Sequence, residues 1–391
     1  MNVRPSTRLA SIGTYAFAEV DKAVERLKAQ GIQPIDFGVG DPTAPTPELV
    51  REAGKIGIEK HKCSGYPSYV GSQAYREAVA AWTKRRFGVS LDPDTEICAT
   101  LGSKEAVFNF PECLIDPGDI VLIPNPGYPP YTRGTLFAEG RAYYLPIVPE
   151  NRFLMDLRSI PADVLAKARL LWINYPNSPS GACAPLSYLE EVVEFCQKHG
   201  IVLASDEAYS EIYFGEPPRS ALEVSKDGVL VFQSLSKRSA MTGWRIGWVA
   251  GDARLVSLFK KLKTNIDSGT PNFVQEGAIA ALSDEKHVEA FRREYRAKRD
   301  IMVEGIKALG LPDCTPEATI YMWQRVPKGM TSVEFATKLL APEIALVTTP
   351  GSWLGETMKD GSNPGEGFVR LAFVPSIEDT RKAAERLKNW K

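Results

Sequence analysis

A chain of 391 residues, 44% hydrophobic and 24% charged, is long enough for two or three domains with well-buried cores. Its 47 basic and 48 acidic side chains leave a formal net charge of −1, which excludes the electrostatic footprint of a nucleic-acid or anionic-membrane binder. The six cysteines form no CxxC pair or disulfide framework and three histidines are too few to advertise a metal site, so small-molecule chemistry is the default.

The first residues, MNVRPSTRLASIGTYAF, have no apolar signal core, and no stretch reaches the ~20 apolar residues of a membrane span, so a cytoplasmic location is expected. Residues 17–30 carry apolar side chains at helical spacing and stop before Gly31, the pattern of a docking helix with a glycine cap. IDFGVGDPTAPTP reads as a short strand entering a Gly-Asp-Pro turn. It lacks the third glycine and the helix of a dinucleotide fingerprint. YPSYVG, residues 66–71, precedes a helix expected over 73–85. ICATLGSKEAVFNFPECL runs strand, turn at Gly102-Ser103-Lys104, then helix, and the free N–H groups of such a turn suit a phosphate.

DIVLIP leads to NPGYPPY, a rigid turn presenting Tyr128, whose ring can stack on another aromatic. RLLWIN runs into Tyr175-Pro176-Asn177-Ser178-Pro179-Ser180-Gly181. Helix 187–199 is amphipathic and ends at His199, where a cation favours the helix dipole, a structural role. IVLASDEAYSEIYF ends a buried strand on Asp206, a carboxylate that is costly there unless it meets a cation.

Residues 229–251, VLVFQSLSKRSAMTGWRIGWVAG, place Lys237 just past a core strand, between Ser234, Ser236 and Arg245. A lysine amine attacks carbonyls, while hydroxyls and a guanidinium hold a phosphate dianion, so the cluster suits a phosphorylated aldehyde. Helical patterns follow at 252–263 and 271–282, and from about 285 charged helices alternate with short strands. Arg370 lies in the apolar strand of GFVRLAFVPS, where an arginine alone reads as an edge or snorkelling residue. Strand and helix alternate from about 95 to 250, so the fold class is α/β, a mostly parallel sheet flanked by helices with ligands at its strand ends.

SLSK followed by MTGWRIGW resembles the lysine segment of the fold-type I, class I/II aminotransferases that use pyridoxal 5′-phosphate (PLP), and the resemblance spans nearly the whole chain. SKRSAMTG is most similar to the branch that contains the diaminopimelate-pathway aminotransferases. The resemblance implies a large PLP-binding domain over 46–284 and a smaller α+β domain over 285–391 that includes an N-terminal arm, 1–45. It implies that Lys237 bonds the cofactor aldehyde, Asp206 pairs with the ring nitrogen and Tyr209 with the 3′-oxygen. Ser103, Lys104, Ser234, Ser236 and Arg245 would hold the phosphate, Tyr128 would stack on the ring, and Tyr66 would reach the phosphate of a neighbouring subunit in a homodimer. Gly40 would approach the substrate carboxylate with its backbone, Arg370 would grip that carboxylate, and Tyr15 and Phe17 would lie near substrate. The family motif ends Asn-Pro-Thr-Gly, and here Ser178 stands where its asparagine belongs. Asn177 is the expected contact to cofactor and substrate, with Ser178 left open.

The implied reaction moves an amino group between an L-amino acid and a 2-oxo acid, glutamate and 2-oxoglutarate forming one pair. N-succinyl-LL-diaminopimelate or LL-diaminopimelate would be the other partner, in lysine biosynthesis. Ser178 and Ser268 depart from the unmodified-substrate type, so aspartate, alanine or broad specificity stay open. A PLP lyase or decarboxylase would share every cofactor residue. A PLP-sensing regulator would need a DNA-binding domain that the ~30 residues before the Gly-Asp-Pro turn cannot supply.

Overall fold

The β-branched and aromatic runs of the middle of the chain become strands of one large sheet. The structure, a computed structural model, describes residues 1, 3–13 and 18–390. Its strands are β1 (Ile35–Asp36), β2 (Ile97–Thr100), β3 (Ile120–Asn125), β4 (Arg141–Pro146), β5 (Ala168–Asn174), β6 (Val202–Asp206), β7 (Val229–Ser234), β8 (Gly247–Gly251), β9 (Tyr321–Arg325), β10 (Leu346–Val347), β11 (Thr349–Pro350) and β12 (Phe368–Ala372). The large sheet has the order β2-β8-β7-β6-β5-β3-β4. Only β8 runs antiparallel to its neighbours; the remaining pairs are parallel. Every residue of β2, β7 and β8 is buried, as strands covered on both faces require.

Helices link these strands and cover both faces. Leu186–His199 buries Tyr188, Leu189, Val192, Val193 and Cys196, a stripe at helical spacing, and stops at Gly200 with φ +65°. The helices expected over 73–85, 252–263 and 271–282 run Gln73–Phe87, Ala253–Lys263 and Asn272–Ser283. Parallel strands put their carboxyl ends together, and the register aligns Asn174 with Asp206 and Asp206 with Phe232. The polar ends of β5, β6 and β7 therefore meet on one edge.

A second core gathers around the antiparallel sheet β11-β12-β9. Tyr295, Met302, Phe335, Val369 and Leu371 pack there with Ile35 and Phe37, while Ile212 and Phe214 reach in from the segment after β6. β1 pairs in parallel with β10, and Phe37 N donates to Val347 O at 2.9 Å. That pairing carries the turn at Gly40 across to the carboxyl edge of the large sheet.

Candidate active site

At the phosphate corner, Ser103 and Lys104 open the helix Ser103–Asn109 directly after Gly102. Gly102 has φ +72°, and a Cβ there would lie 2.6 Å from Arg245 Nη2, so only glycine admits the guanidinium. Arg245 Nη1 donates to Thr242 O at 2.7 Å and Nη2 to Leu101 O at 3.2 Å, which ties the turn after β2 to the turn before β8. Ser234 Oγ accepts from Ser236 N at 3.1 Å and lies 2.9 Å from Ser236 Oγ.

Asp206 is buried at the tip of β6. Tyr131 O–H donates to Oδ2 at 2.6 Å and Ala208 N to Oδ1 at 3.2 Å. Burial pushes the carboxyl up to about 6, against the hydrogen bonds from Tyr131 and Ala208 that hold it down. Among the described residues no cationic side chain forms an ion pair with it. Tyr131 stacks on Trp172 with ring centroids 4.8 Å apart and meets Tyr128 edge-on at 5.8 Å.

Lys237 sits in the short helix Leu235–Arg238 that follows β7, and its Nζ donates to Gly40 O. Burial holds the amine below the usual lysine range, helped by Arg370 and Arg245 and opposed by Tyr321 and Asp41. Tyr209 O–H donates to Tyr321 Oη at 3.2 Å. Arg370 Nη2 donates to Gly38 O at 3.0 Å, while its buried Nε has no partner.

The candidate catalytic and phosphate-binding side chains face one cavity of 630 Å³. It brings together Lys237, Asp206, Tyr209, Tyr128 and Arg370 with the corner formed by Ser103, Lys104, Ser234, Ser236 and Arg245, and Gly40 lies on its wall. One expected residue is away from the cavity and two fall outside the described residues. Tyr66 is 91% exposed and does not line the cavity of its own chain. Tyr15 and Phe17 lie outside the described residues.

Asn177 requires a correction, because its side chain is inside the turn after β5 rather than at the cavity. Its Oδ1 accepts from Ser180 N at 3.0 Å and Ser180 Oγ at 2.6 Å, and its Nδ2 donates to Asn174 O at 3.2 Å. With its polar atoms engaged and 1% of its surface exposed, it has nothing to offer a ligand. Ser178 and Asn174 line the cavity instead. Asn174 Oδ1 accepts from Ser178 N at 2.8 Å and Nδ2 donates to Asp206 O at 2.9 Å, locking the β5 and β6 ends together.

Sequence reading also missed Tyr131, Tyr321 and Asp41, which line the cavity. Tyr131 carries a signal, since it lies three positions beyond Tyr128 at the start of a helix and so shares its face. Tyr321 carries none, because it reads as one more apolar residue of a core strand.

The residues fit PLP on grounds internal to the structure. A buried carboxylate without a cation suits a protonated ring nitrogen, an arginine that lines the cavity with only Nη2 engaged by the protein suits a carboxylate, and a lysine with lowered proton affinity suits an aldehyde carbon. Gly102 keeps the phosphate corner open by leaving room for Arg245.

Comparison with known proteins gives the same answer. The family model for aminotransferase class I and II matches residues 32–387. The LL-diaminopimelate aminotransferase of Aquifex aeolicus (strain VF5) is 45% identical over 390 residues, 99% of each chain. An aminotransferase from Neisseria meningitidis Z2491 superposes with a TM-score of 0.89 at 34% identity, covering 98% of this chain and 99% of that one. A probable N-succinyldiaminopimelate aminotransferase from Thermus thermophilus superposes at 0.87 with 30% identity, covering 96% of this chain and 99% of the other. With its family match, its full-length relatives and a mostly parallel sheet carrying lysine and carboxylate at adjacent strand ends, the chain belongs to the class I and II aminotransferases, PLP-dependent enzymes of fold type I.

Proposed function

We propose that this aminotransferase moves an amino group between LL-2,6-diaminopimelate and 2-oxoglutarate, in lysine biosynthesis. The observation that carries the chemistry is the shared cavity, which Lys237 and Asp206 enter from neighbouring strand ends and Arg370 enters from the other sheet. The substrate rests on the 45% identity to a full-length relative of that name, against 30% to the N-succinyl-type structure.

When bound, PLP supplies an aldehyde carbon for the amines and a ring that accepts the electrons left at Cα. Lys237 Nζ, kept less basic by burial, takes the proton from the substrate Cα and returns it. Asp206, fixed by Tyr131, would hold a proton on the ring nitrogen. Ser103, Lys104, Ser234, Ser236 and Arg245, which line the cavity, would bind the phosphate, Tyr128 would pack on the ring, and Tyr209 would donate to the 3′-oxygen. Ser178 takes the place expected of Asn177. Arg370, which lines the cavity and has only Nη2 engaged by the protein, grips the α-carboxylate beside Gly40 in a fork geometry that a lysine could not replace.

The large PLP-binding domain spans 46–284, and 285–391 with the arm 1–45 forms the small one, a division supported by the core around β9, β11 and β12 that also takes in Ile35 and Phe37. A homodimer is supported by the exposed aromatic Tyr66, near Tyr69, which is 43% exposed, on a loop that the single chain leaves uncovered. Tyr66 would then complete the neighbouring phosphate corner. No helix among the described residues is long and apolar enough to cross a membrane, in keeping with a place in the cytoplasm.

The test is a panel of amino donors with 2-oxoglutarate as acceptor, read as glutamate formed. LL-diaminopimelate should exceed N-succinyl-LL-diaminopimelate, aspartate and alanine in kcat/KM by at least about ten-fold. A preference for the succinylated donor or for aspartate would overturn the substrate.

A further inference from the structure

Four observations meet on Tyr321, which is 5% exposed. It opens β9 opposite Ala372, while Arg370 on β12 pairs with Trp323, so Tyr321 and Arg370 are diagonal neighbours on one face of the sheet. The Arg370 guanidinium carbon sits 4.4 Å from the centre of the Tyr321 ring, within the range of a cation–π contact. The Tyr321 hydroxyl is hydrogen-bonded to that of Tyr209, with the oxygens 3.2 Å apart. A Cβ at Gly40 would fall 1.9 Å from that same hydroxyl, so Tyr321 confines position 40 to glycine, whose carbonyl receives Lys237 Nζ. One phenol therefore touches the proposed carboxylate fork, the hydroxyl of Tyr209 in the same cavity, and the loop against which the amine rests.

We propose that Tyr321 is a positioning residue that couples carboxylate binding at Arg370 to proton transfer at Lys237. Its ring fixes the plane of the guanidinium, and its hydroxyl fixes the hydroxyl of Tyr209. Arg370 needs such a seat. Among the described residues its hydrogen bonding is limited to Nη2 on Gly38 O, so the long side chain would otherwise sample several rotamers, each a loss of bidentate geometry. The two contributions of Tyr321 are separable, because phenylalanine keeps the ring and removes the hydroxyl, whereas leucine removes both. The inference rests on the proposed role of Arg370 as the carboxylate grip.

The experiment compares Tyr321→Phe, Tyr321→Leu and Arg370→Ala as holoenzymes. It reads KM and kcat with L-glutamate, the Kd of the non-reacting dicarboxylate glutarate by calorimetry, and the pH midpoint of the bound cofactor's absorbance. Tyr321→Phe should keep KM and the glutarate Kd within about two-fold, lower kcat by about three- to ten-fold, and displace the absorbance midpoint. Tyr321→Leu should also weaken glutarate by about ten-fold or more. An unmoved midpoint with unchanged kcat in Tyr321→Phe, or wild-type glutarate binding in Tyr321→Leu, would overturn the proposal. If Tyr321→Leu does not fold, the isosteric phenylalanine variant decides. Arg370→Ala separates the two readings. Retained glutarate binding there would sink the carboxylate grip itself, whereas loss there with wild-type behaviour in both Tyr321 variants would sink only the coupling.

Discussion

On the side of the large sheet, four functional groups of the cavity lie at a strand end or within a few residues after one: Ser103 after β2, Tyr128 after β3, Asp206 at the tip of β6, Lys237 just past β7. On the opposite side nothing is local. Gly40 follows β1, Tyr321 opens β9 and Arg370 lies inside β12, and the hydrogen bond from Arg370 to Gly38 joins residues 332 apart in the chain. The first wall is set by the geometry of parallel strands, whose carboxyl ends must converge. The second exists only because β1 pairs with β10 and β12 lies between β9 and β11. The proposed roles put cofactor chemistry on the wall built by local turns, and substrate recognition on the wall built by long-range pairing.

The sharpest way to break this division is Lys237→Ala. It should lower kcat by about 10⁴-fold or more and leave PLP bound only noncovalently, released on dialysis, because in the proposed mechanism the amine serves as both bond and base. A covalent chromophore surviving in that variant would place the reactive amine elsewhere.

Arg370→Ala attacks the other wall. Two charge-assisted hydrogen bonds of about 1.5–3 kcal/mol each predict a loss of about 10²–10⁴ in kcat/KM, with the PLP Kd unchanged. Weakened PLP binding of similar size would show that the two walls are not separate.

Asp206→Asn sharpens the first wall through pH. The carboxyl is raised from an ordinary 3.8 to about 6 by burial. Between those values the folded, cofactor-free chain holds a proton that the unfolded chain has shed, so this group's contribution to stability falls as pH rises. The full shift corresponds to about 3 kcal/mol lost between about pH 4 and 6. Urea unfolding of the cofactor-free protein should show a wild-type slope that the asparagine variant lacks. Glu207, which burial pushes up to about 7, is present in both proteins and cancels in their difference. Equal slopes would mean that Asp206 is solvated in the cofactor-free chain.

The smallest effect on activity belongs to Asn177→Ala. It frees the buried Ser180 donors, so stability should fall by about 1–3 kcal/mol while kcat/KM stays within about three-fold. A loss of activity far beyond the loss of stability would return Asn177 to the cavity.

The amino-acid sequence by itself determined the α/β class, the strand-to-turn segments that carry Ser103, Asp206 and Lys237, and the reactive pairing of an amine with phosphate-binding groups. These are local facts, because period, turn chemistry and a charge at the end of an apolar run are written within a few residues. The tertiary structure decided which asparagine faces the cavity, since the turn after β5 spends Asn177 on its own closure and presents Asn174 and Ser178 instead. It also decided that Tyr131 supports Asp206 and that Tyr321 lies under Arg370. A buried tyrosine looks the same in sequence whether its hydroxyl meets a carboxylate, a second phenol or nothing, and only the packing of distant strands fixes which.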